Sequence, residues 1–218
     1  VAATTDYGGP IVAAVARDAA VVDPATYPPL LASLAESEGA TVREATPVRV
    51  ASDGDDGPAV VHGDGAVQAF DAVLVAAGAH SKRLLADAGV PIAMKPYRVQ
   101  ALTAGFDQDV PVCYDATAGV YLRPHPDGLL VGDGTEEREV DPDDWRRAAD
   151  DWFVDGAVAA VTERTGTEPS VERAWAGLCT ATPDRNPLLG ELRDGCFVAT
   201  GFQGHGFMRA PALGEAVA

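Results

Sequence analysis

One stretch limits this chain more than any other: Gly201-Phe202-Gln203-Gly204-His205-Gly206-Phe207-Met208-Arg209-Ala210-Pro211. Ahead of it, Cys196-Phe197-Val198-Ala199-Thr200 reads as a buried-type strand. Beyond it the spacing turns helical, with Phe207, Leu213 and Val217 as the apolar members. Three glycines within six residues allow φ > 0 and let the backbone approach a ligand with no Cβ in the way. A strand, a Gly-rich turn and a helix start aim unpaired N–H groups at one point. That arrangement suits an anion, or a group that becomes anionic. A tight strand-to-helix connection without any ligand satisfies the same spacing.

The 218 residues are enough for one large domain or two modest ones, and 47% hydrophobic content supports a packed core. No apolar run approaches the ~20 residues of a membrane span. The first residues lack the basic-then-apolar pattern of a signal peptide. Cys113, Cys179 and Cys196 have no C-x-x-C spacing, and no two histidines stand at metal-ligand spacing. The expectations are no disulfide framework, no metal and a cytoplasmic location. Acidic residues number 33 against 16 basic ones, for a net charge of −17, and Lys82 and Lys95 are the only lysines. Such a surface fits a halophilic protein, in which salt screens self-repulsion; an anion-repelling face for a basic partner is the other reading. Either argues against nucleic-acid binding, because no basic face is on offer to phosphates.

Along the chain, Asp23-Pro24 opens a helix over Ala25–Glu38, with Asp23 as N-cap and Gly39 closing it. Thr41–Arg43 and Pro47–Val50 read as strands, Ser52–Pro58 as an acidic loop, and Ala59–His62 with Ala66–Ala69 as a hairpin. Ala72–Ala76 reads as a buried strand, Ala77-Gly78 as a turn and Ser81–Ala88 as a short helix. From Pro91 the texture changes. Strands are expected over Pro96–Phe106, Gly119–Leu122, Leu129–Gly132 and Val171–Leu178. A long helix is expected from Asp141-Pro142 to about Thr165, with Trp145, Trp152, Phe153, Val158 and Val161 as candidate core. No G-x-G-x-x-G fingerprint follows a strand: Gly132-Asp133-Gly134 runs into Thr-Glu-Glu, and Gly204-His205-Gly206 into Phe-Met-Arg.

Five stretches, in order, carry a family resemblance. They are Asp71-Ala-Val-Leu-Val-Ala-Ala-Gly-Ala-His-Ser81, Tyr121-Leu-Arg-Pro-His-Pro-Asp-Gly-Leu-Leu-Val-Gly132, Arg173-Ala-Trp-Ala-Gly-Leu178, Thr182-Pro-Asp-Arg-Asn-Pro-Leu-Leu-Gly190 and the Gly-His-Gly turn. Together they resemble the D-amino-acid oxidase superfamily of FAD-dependent oxidoreductases, which includes sarcosine and glycine oxidases, from about Val21 onward. The resemblance implies an α+β or α/β fold. A partial FAD-binding domain of the glutathione-reductase-like kind would carry an inserted substrate domain with a mixed or antiparallel sheet. Residues 21–90 and 181–218 would form the FAD-binding part, 91–180 the substrate domain, and 1–20 a remnant of a substrate-domain segment. It also implies that a first βαβ unit with the fingerprint lies upstream, making this chain a C-terminal fragment that is inactive in isolation.

The activity implied is oxidation of a C–N bond in an amino acid or N-methyl amino acid, by hydride transfer to FAD. Electrons would pass to oxygen or to another acceptor. A non-catalytic subunit with this fold, or a flavin dehydrogenase of a hydroxy acid, are the alternatives. The resemblance places Val48, Ala77, Gly78, Gly204, His205, Gly206, Phe207 and Met208 at the cofactor, with His205 positioning rather than transferring a proton. Tyr121 and Arg123 are expected on opposite faces of their strand, and Tyr121 is taken as the catalytic-site residue that meets the substrate. Departures from the family matter as well. Gly177 stands where covalent-flavin sarcosine oxidases carry the attachment cysteine, and Cys179 is two residues too late, so FAD is expected to be non-covalent. Met208 and Leu130 stand where monomeric sarcosine oxidases carry lysines. Losing a cation near the flavin weakens the case for an oxidase over a dehydrogenase.

The charge generates a prediction of its own. The Debye length shrinks to ~3 Å at 1 M salt, so the melting temperature should climb from 0.1 M to molar KCl. A melting temperature that is flat or falls over that range contradicts the halophilic reading.

Overall fold

The computed structural model describes residues 22–53 and 57–217, so the expectation for residues 1–20 lies outside them. In chain order the elements are α1 (Tyr27–Ser37), β1 (Val48–Asp53), β2 (Gly57–His62), β3 (Val67–Ala69), β4 (Val73–Val75), a 3-10 turn (Gly78–His80) and α2 (Ser81–Asp87). Then follow β5 (Lys95–Gly105), β6 (Cys113–Asp115), β7 (Val120–His125), β8 (Gly128–Gly132), β9 (Glu136–Glu139), α3 (Asp151–Thr165), β10 (Ser170–Ala181), β11 (Leu188–Arg193), β12 (Cys196–Thr200) and α4 (Gly206–Val217). The chain divides into two compact units. The first holds Gly78–His80 and Met94–Asn186; the second holds the described residues up to Ala77, Ser81–Ala93, and those from Pro187 on.

In the second unit, β12 runs parallel to β4, setting Cys196, Phe197 and Val198 opposite Val73, Leu74 and Val75, and β11 pairs antiparallel with the other edge of β12. A separate antiparallel sheet has the order β1-β2-β3. Val50, Val75, Leu85, Ala88, Cys196 and Val198 form the core that joins these pieces. α1 starts two residues later than expected. Asp23 does not cap it but makes a turn ahead of it, its carboxylate accepting from the Ala25 N–H (2.9 Å) and its carbonyl from the Tyr27 N–H (3.1 Å). Thr41–Arg43 is not a strand: it has no ladder partner and runs into a turn at Glu44-Ala45. β1 and β2 extend into the stretch expected to be an acidic loop.

The first unit is built on β5. It pairs antiparallel with β10 along its whole length and with β8 on the other side, and the sheet continues as β7 and β6. Strand alternation sends Leu102, Ala104, Leu122, Leu129 and Val131 to one face. They meet Phe153, Ala157, Ala160 and Val161 of α3 in the main core. A fully buried leucine contributes ~1.5–3 kcal/mol, so this contact dominates the unit's stability.

α3 begins at Asp151, ten residues after the expected start. Asp141-Pro142 instead closes a local turn, with the Asp143 N–H on the Asp141 carboxylate (2.9 Å). Residues 145–150 form no helix, and several of their backbone carbonyls have partners elsewhere. Arg98 donates from Nε to the Arg146 carbonyl (2.9 Å) and from Nη2 to the Ala148 carbonyl (2.8 Å), while the Ala176 N–H donates to the Arg147 carbonyl (2.8 Å). Of the expected helix core, Phe153 and Val161 are buried, but Trp152 is 56% exposed, because a helix has only one face toward the sheet.

Arg98 is itself buried and also pairs with Glu136 and Asp150 (2.9 Å to the latter). Burial raises the Glu136 pKa, whereas the Arg98 hydrogen bond lowers that of Asp150. Arg98→Met removes the shared cation and should cost ~3 kcal/mol at neutral pH, the usual penalty for orphaning a buried charge. Without the guanidinium both folded-state carboxyl pKa values rise, so the folded state binds protons more readily. The deficit should therefore shrink as pH falls from 7 toward 5. Denaturant titrations at both pH values check this, and a deficit independent of pH counts against the cluster as its source.

Candidate functional site

β12 delivers the chain to the Gly-rich turn. Thr200 is fully buried, and Gly201, Gln203 and Gly204 then adopt left-handed backbone (φ 80°, 52° and 80°). The His205 N–H closes the turn on the Phe202 carbonyl (2.9 Å), and the Arg209 N–H makes the first helical bond to the His205 carbonyl (3.2 Å). The N–H groups of Gly206, Phe207 and Met208 therefore start α4 with no acceptor inside the helix. Gly204 and His205 are exposed, and Met208 is 70% exposed. Phe207 packs edge-on against Tyr27, with ring centroids 5.8 Å apart. Gly206 itself is not left-handed: a Cβ there would meet the Phe202 Cβ at 3.4 Å, an ordinary contact. The positive-φ demand falls on Gly201 and Gly204 instead.

Because β4 and β12 are parallel, Ala77 and the 201–206 turn leave the sheet at the same, carboxyl end. In open parallel sheets, ligands bind beyond the carboxyl ends of strands. Ala77 and Gly78 are exposed, and a Cβ at Gly78 would meet nothing within 4 Å. Val48, the first residue of β1, shares a side of that strand with the core residue Val50 but is largely exposed. The Gln203 Oε1 atom is buried and without a hydrogen-bond partner among the described residues. Open backbone, free N–H donors and an orphan acceptor together fit the pyrimidine edge of a flavin, which offers both carbonyls and an N–H.

In the first unit, the sheet face turned away from α3 carries the other candidate residues. Register sets Tyr114, Tyr121, Gly132, Ala101 and Trp175 in one row across five strands. Tyr121 and Arg123 are two residues apart and so share this face; the expectation of opposite faces miscounts the pleat. Arg123 is half-buried, makes only a marginal bond to the Pro124 carbonyl (3.5 Å) and has no carboxylate partner among the described residues. The Tyr121 ring lies over Gly132, where an added Cβ would come 2.1 Å from its Cζ. Burial raises the Tyr121 pKa although Arg123 pulls it down. Tyr97 and Cys179 pair in register on the same face; burial and the Cys179 thiol push the Tyr97 phenol up to about 12, so both phenols stay protonated at neutral pH. Gly177 also lies there, with open space where a Cβ would stand. Leu130, opposite Arg123, is buried. Sequence reasoning missed Tyr97, Asp133 and Arg123; the i, i+2 spacing of Tyr121 and Arg123 was the signal for the last.

Comparison with known proteins places this fold. The model of the family described as FAD dependent oxidoreductase matches residues 3–218, and the chain belongs to that family. It is similar to L-proline dehydrogenase from P. horikoshii, with a TM-score of 0.79 and 28% identity over 89% of this chain and 54% of that one. Glycine oxidase from Geobacillus kaustophilus follows, with a TM-score of 0.71 and 26% identity over 85% of this chain and 50% of that one. Among curated sequences, glycine oxidase from Pseudomonas aeruginosa is 30% identical over 84% of this chain and 50% of its own length. The 4-methylaminobutanoate oxidase (formaldehyde-forming) of Paenarthrobacter nicotinovorans is 28% identical over 97% of this chain. The chain spans 28% of that oxidase's length and 23% of the bifunctional tRNA-modification protein MnmC of Maricaulis maris. The expected fold class stands: a mixed α/β fold similar to those of FAD-dependent amino acid oxidases, in an FAD-dependent oxidoreductase family. No described helix is long and apolar enough to cross a membrane.

Gly132→Ala tests the row of side chains. The new methyl must drive the Tyr121 ring off the sheet, at ~1–3 kcal/mol for an overpacked site. Spectrophotometric titration should then show one tyrosine returning toward its ordinary pKa. An unchanged titration and melting temperature would place the ring elsewhere.

Proposed function

We propose that this chain supplies the reduced-flavin-stabilising turn and the substrate sheet of an enzyme that oxidises a C–N bond in an amino acid or N-methyl amino acid. FAD, when bound, would supply the hydride acceptor. The 204–207 backbone would hold the pyrimidine side of the flavin, with its N–H dipoles aimed where negative charge develops. Ala77, Gly78 and Val48 would pass close to the dinucleotide part through backbone. His205 orients the turn. Tyr121, with Arg123 beside it, would hold the substrate carboxylate on the face away from α3 and so fix the carbon to be oxidised. The observation that carries this reading is the shared carboxyl end of β4 and β12, which brings Ala77 and the Gly-rich turn to one place. The named relatives support the C–N chemistry, since glycine oxidase, L-proline dehydrogenase and 4-methylaminobutanoate oxidase all take amine-bearing compounds. The flavin is taken as non-covalent, because Gly177 offers no nucleophile and Cys179 faces Tyr97. The electron acceptor is taken to be other than oxygen, because Met208 and Leu130 supply no cation.

The tests use the full-length gene product. Acid precipitation should release the yellow colour, and flavin that stays with the pellet would contradict the non-covalent reading. Anaerobic addition of sarcosine, glycine or proline should bleach the bound flavin; no bleaching by any amine, with hydroxy acids effective instead, would sink the proposal. Gly206→Val keeps its N–H but sets a branched side chain where the ring must approach, and should slow reduction by about a hundredfold, the lower end of the range for losing one aimed donor. Its apoprotein should melt near the wild-type temperature, because the position has room and an ordinary φ.

A further inference from the structure

The run Gly132-Asp133-Gly134 lacks the third glycine of a dinucleotide fingerprint, yet its geometry has another use. Neither glycine has free room for a side chain. A Cβ at Gly132 would strike the Tyr121 ring, and one at Gly134 would come 2.4 Å from Phe153 and 2.7 Å from Gln100. Between them Asp133 sits in the left-handed region at φ 87° and directly follows the residue that lies under the Tyr121 ring. The Asp133 carboxylate accepts from the Thr135 hydroxyl (2.9 Å), and Tyr114, the register partner of Tyr121, bonds to it as well. Burial raises the pKa of Tyr97 and Tyr121, and the Asp133 charge adds to the rise at both. Tyr114 is 61% exposed and Tyr121 37%, which leaves the cluster open to a ligand. Arg123 pairs with Leu130 and Tyr121 with Gly132, so along the strands Arg123 and Asp133 lie on opposite sides of Tyr121.

A carboxylate beside tyrosine side chains can recognise an organic ammonium ion, through charge pairing and cation–π attraction. We propose that Asp133, Tyr114 and Tyr121 form a cation subsite that selects substrates carrying a second, positively charged nitrogen besides the amine that is oxidised. This rests on the reading that the Tyr121 face takes the substrate. It goes beyond that reading by assigning the substrate class: a basic amino acid or polyamine-like amino compound.

The test separates the two claims. On the full-length, FAD-loaded protein, racemic lysine and racemic norleucine have the same chain length and differ in the terminal ammonium. Anaerobic stopped-flow reduction should favour lysine, and Asp133→Asn should lower the lysine-to-norleucine ratio by about tenfold, the size of one well-placed cationic contact. Asparagine tolerates left-handed backbone, so the variant keeps the turn. Tyr114→Leu, at an exposed position, should lower the ratio in the same direction. Independently, saturation-transfer NMR should detect n-butylammonium on the wild type more strongly than 1-butanol, and Asp133→Asn should abolish that difference. A ratio unmoved by both variants, or butylammonium bound no better than butanol, overturns the subsite. Asp133-dependent capture of butylammonium with no reduction by either amino acid, nor by sarcosine, glycine or proline, would support the subsite and instead sink the amine-oxidation reading.

Discussion

The packing of α3 on one face of the β5-centred sheet decides what the other face can display. Leu102, Leu122, Leu129 and Val131 are buried against Phe153, Ala157 and Val161. A slip of one residue in any of these strands would bury the tyrosines and expose the leucines, so the core fixes the register. Register then fixes the row Tyr114, Tyr121, Gly132, Ala101 and Trp175 on the opposite face. Core and candidate substrate face are two readings of one alternation.

Charge is managed by the same sheet. On the α3 side, Arg98 gathers Glu136, Asp150 and two carbonyls and holds residues 141–150 against β5. Asp115 is tied to Arg164 of α3 at 2.7 Å, and that hydrogen bond, with two from backbone N–H groups, outweighs burial and lowers its pKa. A surface as acidic as this one has few cations to spare, and buried carboxylates need them. Arg123, half-buried without a carboxylate partner among the described residues, therefore stands apart from the arginines that serve packing.

Much of this was legible in the residues. Cys196–Thr200 is the strand expected, β5 lies within one residue of its expected bounds, and the hairpin and α2 fall where turn residues and apolar spacing put them. What failed did so for physical reasons. The Asp141-Pro142 signal is a genuine turn, but the non-helical stretch after it, held by Arg98 at Arg146 and Ala148, delays the helix, and no local pattern encodes a distant guanidinium. β6, β9 and β11 were missed because three to six residues with mixed polarity become strands only by finding an edge to pair with. Tyr121 was found through resemblance, whereas Asp133 depends on a left-handed backbone that no spacing announces.

The central proposal is that the 204–207 turn holds the flavin of an amine-oxidising enzyme. The most direct measurement is a crystal structure of the full-length protein with FAD and a bound amino acid. The account predicts backbone N–H groups of residues 204–207 at ordinary hydrogen-bond distance, ~2.9 Å, from the flavin pyrimidine edge, with the ligand carboxylate on Tyr121 and Arg123. A flavin seated away from that turn, or an amino acid bound elsewhere than on the tyrosine face, would contradict it.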